Sequence, residues 1–127
     1  MKSKVAVLRL EEPARFNPER LEQLCEEMGE IRAEHEVAQT LQSISEQVQS
    51  LVAFDPGGRP EDMVLKVRAL AVAASKIGMA TLARVAQDVL TCIAQRDRVA
   101  LAATRARLIR VGERSIHAIW DLEDVSG

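Results

Sequence analysis

The chain has 127 residues, 47% of them hydrophobic, enough for one domain with a single buried core and too apolar for a disordered segment. Its 17 basic and 19 acidic residues leave a net charge of −2 with no long run of either sign, which argues against general electrostatic binding to nucleic acid or acidic lipid and leaves only a local patch open. Phe16, Phe54 and Trp120 are the whole aromatic complement, so the core must be aliphatic.

The first residues, MKSKVAVLRLEEP, form a short apolar run broken by charge. They fit neither a secretory signal nor a membrane span, so a cytoplasmic location with no membrane association is the expectation, and residues 1–16 read as an N-terminal extension. Asn17-Pro18-Glu19 is a helix start, because the asparagine side chain can cap free amides and proline is tolerated in the first turn. A short helix is predicted from Pro18 to Met28, with Gly29 ending it. In the next segment Val37, Leu41, Ile44, Val48 and Leu51 recur every three or four residues, the apolar stripe of a second helix.

FDPGGRPED concentrates turn formers and predicts a surface connection. Pro60, Glu61 and Asp62 suit the first turn of a third helix, whose stripe is Met63, Val67, Leu70, Ala74 and Ile77, with Ala69, Ala71 and Ala73 keeping its surface slim. Gly78 can take the left-handed conformation that closes this helix, with Lys76 near its negative end. Leu82, Val85, Ala86, Val89 and Ile93 supply the buried face of a fourth helix. After the polar QRDR turn, Leu101, Leu108, Ile109, Ile116, Ile119 and Trp120 outline a long fifth one. Gly112 is predicted as its weakest interior point, at about 1 kcal/mol relative to alanine. The expected fold is all-α: an antiparallel four-helix bundle with a short additional N-terminal helix over residues 17–122, and a tail at 123–127.

Candidate chemistry is sparse. Cys25 and Cys92 lack the spacing of a zinc or redox motif and are expected as reduced, small hydrophobes. His35, between Glu34 and Glu36, reads as a solvated-face residue; His117 reads as a helix-end or partly buried packing residue. There is no nucleophile elbow, P-loop or HExxH pair, and no catalytic residue, metal site or cofactor is expected.

The stretch VRALAVAASKIGMATLARVAQDVL is informative as a unit. It resembles the hairpin of histidine-containing phosphotransfer (Hpt) domains of bacterial phosphorelays, where a pattern like AHxLKGxAxxIGAxxLAxLAxxLE is typical. Ile77-Gly78 matches the pivot, Leu82 and Ala83 the leucine and alanine beyond it, and Ala86 the next alanine. The likeness spans about Asn17 to Leu122 and is specific in the hairpin. Aligned on Gly78, Arg68 stands where the family carries its phosphorylated histidine, Ala71 replaces the lysine three residues later, and Val72 the glycine after that. An imidazole ring nitrogen can attack a phosphoryl group; a guanidinium is always charged and has no free lone pair.

What the resemblance implies is therefore a protein-interaction module of two-component signalling that is not phosphorylated on histidine. It would bind a response-regulator receiver domain or a histidine kinase through Arg68, Val72, Ser75 and Lys76. Two other readings stay open: an active phosphotransferase using a non-standard histidine, and a structural helical dimerisation domain.

Overall fold

A computed structural model describes residues 17–126, with side chains through His117. The described residues form five helices and no strand: α1 (Pro18–Met28), α2 (Glu30–Val52), α3 (Pro60–Lys76), α4 (Ala80–Ala94) and α5 (Arg98–Ser126). None of the helices is long and apolar enough, within the described residues, to cross a membrane. The helix α5 continues to Ser126, past the expected boundary at Leu122.

Each helix boundary has a local cause. The Asn17 side chain accepts the Glu19 amide at 3.0 Å and caps α1, and Pro18 follows in its first turn. Gly29 both ends α1 and starts α2; its φ of +81° and ψ of 159° lie in a region open almost only to glycine. After α2, Asp55 accepts the Gly57 amide on its side chain and the Gly58 amide on its carbonyl, turning the chain before Pro60. Between α3 and α4, Gly78 has φ +78°, its amide reaches Ser75 O at 3.2 Å, and the Met79 amide reaches Ala74 O at 2.8 Å. That paired closure is the Schellman motif.

The α4–α5 turn repeats this closure without glycine. Arg96 takes φ +56°, the Arg96 amide bonds Ile93 O and the Asp97 amide bonds Cys92 O, both at 3.1 Å. Asp97 then caps α5 by accepting the Ala100 amide at 3.0 Å.

The helix α2 packs against α1, α3 and α5, and α4 packs against α3 and α5. The core between them is aliphatic: Ile44, Val48 and Leu51 from α2, Met63, Val67 and Leu70 from α3, Leu82, Val85 and Val89 from α4, and Leu108 from α5 are buried. Met79, in the turn, joins them. On α2 the buried series runs Ala33, Val37, Thr40, Ile44, Val48, Leu51, so Thr40 takes the inward position predicted for Leu41, which packs at the edge. Ile93, Leu101, Ile109 and Ile116 are also edge residues; Ile119 and Trp120 fall outside the described side chains. Cys25 and Cys92 are free thiols, and Cys92 is buried.

Gly112 departs most from expectation. It is buried, and a Cβ there would lie 2.7 Å from Val48 Cγ2, so its missing side chain lets α5 approach α2. Helix propensity alone favours alanine at such a position by about 1 kcal/mol. The contact reverses the sign: Gly112→Ala is expected to lower the unfolding free energy, because the stiff, β-branched Val48 cannot swing away. Adding Val48→Ala should return part of that loss, a coupling readable in a double-mutant cycle by chemical denaturation.

Candidate functional site

The outward side of α3 follows from its sequence: with Met63, Val67, Leu70 and Ala74 turned inward, Leu65, Arg68, Ala69, Val72, Ser75 and Lys76 are left exposed. Leu65 and Val72 are each 65% exposed, unusual for large aliphatic side chains. Beside this ridge an open groove of about 530 Å³ runs along the α2–α3 seam. Gln39, Thr40 and Ser43 form its α2 side, and Leu65, Arg68, Ala69, Val72, Ala73 and Lys76 its α3 side.

Of the four residues expected to bind a partner, Arg68, Val72 and Lys76 line this groove; Ser75 is exposed on the same helix but not among the groove residues. Leu65 and the α2 residues Gln39, Thr40 and Ser43 were not anticipated. A signal for Leu65 existed, since Leu65, Ala69, Val72 and Lys76 form a second row at helical spacing on α3.

Arg68 forms no hydrogen bond or ion pair among the described residues. Lys76 is already engaged, because its ammonium pairs with the Glu36 carboxylate of α2 and ties the end of α3 to its neighbour. The hydrogen bond from Lys76 and then its charge hold the Glu36 carboxyl below its ordinary pKa. The pair therefore adds stability above the usual glutamate range, and this is lost as pH falls through the lowered value. Farther along the seam, Lys66 Nζ donates to Ser50 Oγ at 2.6 Å.

The hairpin tip below the groove is held by α1. The Asn17 amide donates to Gly78 O at 2.6 Å, and Arg20 Nε donates to Lys76 O at 2.9 Å, a guanidinium at the negative end of α3. Lys76 lies in the last turn of α3, as predicted, and pairs there with Glu36. At the far end of the core, Arg105 donates to Leu51 O at 2.7 Å and Phe54 O at 3.2 Å, closing the end of α2 in the same manner.

The groove offers a guanidinium, an engaged ammonium, two hydroxyls and an amide. Such a set can attract and hydrogen-bond a carboxylate or a phosphoryl oxygen, while a protonated guanidinium has no free lone pair with which to attack phosphorus. His35 is exposed on α2 and does not line the groove. His117 is exposed too and lies on α5, which runs on to Ser126; the side chains that follow it fall outside the described residues. Among the described residues no group of three or more His, Cys, Asp or Glu side chains is placed to hold a metal. No protein-family model, curated protein or solved structure matched the chain.

Proposed function

We propose that the chain is an Hpt-like interaction module that docks a response-regulator receiver domain, or a histidine kinase, on the exposed side of α3 without itself carrying a phosphoryl group. In this reading α2, α3, α4 and α5 are the antiparallel four-helix bundle and α1 is the additional helix laid across the hairpin tip. The mutual packing of α2 with α3 and α5, and of α4 with the same two helices, supports that arrangement.

One observation carries the functional reading: Arg68, unpaired among the described residues and ten residues before the Gly78 pivot, is flanked on the open side of α3 by the exposed aliphatic side chains of Leu65 and Val72. A charged centre between apolar contacts is what a protein partner with an acidic pocket would meet. The family's pattern puts a bare glycine where Val72 stands, so the surface is also altered in shape.

Two measurements test the two halves of the proposal. Incubation with a competent kinase and phosphorylated receivers is expected to leave the chain without acid-labile phosphate. Stoichiometric labelling that disappears on replacing His35 or His117 would establish the phosphotransferase reading instead. In a binding assay against receiver domains and histidine kinases of the source organism, Val72→Asp is expected to weaken the complex at least tenfold while thermal unfolding stays unchanged. Absence of any binding by the folded wild-type chain would leave the structural reading standing.

A further inference from the structure

A second surface lies on α5. Its inward side is set by Leu108, Gly112 and Ser115, all buried. On the opposite side stand Arg107, Arg110 and Arg114, exposed, with His117 one turn beyond and the small Ala103 and Ala106 before them. The spacing i, i+3, i+7 keeps the three arginines on one strip, and none has a hydrogen bond or ion pair among the described residues. Glu113 is the acidic residue at its flank. Three other arginines are engaged within the fold: Arg20 and Arg105 bond backbone carbonyls, and Arg59 pairs with Glu61.

The chain carries a matching strip of opposite sign. On α1, Leu21 and Leu24 turn inward, and Glu19, Glu22 and Glu26 are exposed on the far side, again at i, i+3, i+7. These glutamates have no ion-pair partner among the described residues; the α1 carboxylate that does pair is Glu27, with Arg20. The identical spacing means that two such helices lying parallel bring the three charges of one opposite the three of the other, with separations along the axis of about 4.5 and 6 Å in both.

We propose that the Arg107–Arg110–Arg114 face of α5 binds the Glu19–Glu22–Glu26 face of α1 on a second copy of the chain. Charge complementarity selects this occupant: the partner surface is present on every copy, in the same register, and the chain's net charge of −2 disfavours a polyanion as the general ligand. The contact is heterologous, so a pair of copies keeps one free face of each sign and can add further copies as a ring or an open chain. Exposed ion pairs are individually weak and screened by salt, so the association belongs to concentrated protein at low ionic strength.

Sedimentation velocity over a concentration series tests it. At an ionic strength of about 0.01 M, where screening acts over about 30 Å, the weight-average mass of wild type should rise with concentration, and at about 1 M it should fall to the monomer. The triple variants Arg107→Glu/Arg110→Glu/Arg114→Glu and Glu19→Arg/Glu22→Arg/Glu26→Arg should each stay monomeric alone and associate when mixed. All six positions are exposed, and circular dichroism checks that both variants are folded; the neutral set Arg107→Gln/Arg110→Gln/Arg114→Gln, which should also stay monomeric, replaces any variant that is not. Wild type that remains monomeric throughout the series overturns the proposal. So does a mixture of folded charge-reversed variants that does not associate, or binding to single-stranded RNA or anionic vesicles without self-association.

Discussion

Aspartate in place of Leu70 is expected to unfold the chain, and alanine there to lower its stability by about 2–5 kcal/mol. Leu70 is 0% exposed at the centre of α3, among Val67, Ala74 and the α4 residues Val85 and Val89 in the buried cluster. An aspartate at this depth must either hold an unpaired charge in aliphatic surroundings or take up a proton, and either costs a large part of a typical domain's stability. Val89→Asp should do the same from α4. The control lies on the same helix: Leu65, 65% exposed, should tolerate aspartate within about 0.5 kcal/mol. Chemical denaturation followed by circular dichroism reads all three. Equal, small effects at Leu70 and Leu65 would mean that the helix is rotated from the orientation described.

The second large effect is expected at Gly78. Its φ of +78° costs an ordinary residue about 1–2 kcal/mol, and a β-branched one more. Space adds to this, since a Cβ would sit 3.1 Å from Asn17 O, 3.1 Å from Arg20 Cβ and 3.2 Å from Asn17 N. Gly78→Val therefore strains the turn and pushes α1 off the hairpin tip, weakening the Asn17–Gly78 and Arg20–Lys76 bonds together. Gly29 provides the comparison, with φ +81° but nothing within 4 Å of an added Cβ. Both alanines should lower the thermal midpoint, at Gly29 through its nearly glycine-only φ and ψ alone and at Gly78 through φ and crowding by α1 together, and a neutral Gly78→Ala would contradict the described seating of α1.

The helix boundaries were legible wherever local chemistry sets them. Asn17-Pro18, Gly29, Pro60 and Gly78 act through capping, a fixed φ or a left-handed turn, all of which are properties of a few adjacent residues. Arg96 was not legible as a left-handed residue, because nothing in an arginine side chain signals that conformation. Gly112 was misread for a different reason: its partner, Val48, lies 64 positions away in the chain, and propensity knows nothing of a helix that close. The exchange of Leu41 for Thr40 reflects the burial of Thr40 at the α2–α3 seam, which leaves Leu41 partly buried at the edge of the core.

The exposure of Arg68, Val72, Ser75 and Lys76 on α3 was legible from helical spacing, although Ser75 does not line the groove and Leu65, which does, was missed. The α2 half of the candidate site was not legible, because Gln39, Thr40 and Ser43 are ordinary polar residues until α3 is laid beside them. The opposing strips on α1 and α5 escaped for a related reason: their charges alternate with other residues in sequence and become strips only at helical spacing.

Whether Arg68 docks a partner, as proposed, is read from the affinity of receiver domains for wild type, Arg68→Ala and Arg68→Glu at two salt concentrations. Because Arg68 is exposed and unpaired among the described residues, neither substitution should disturb folding. A graded loss is expected, larger for glutamate than for alanine and smaller at high salt, as for a guanidinium meeting an acidic pocket. Binding that is unchanged in both variants at both salt concentrations would contradict the proposal.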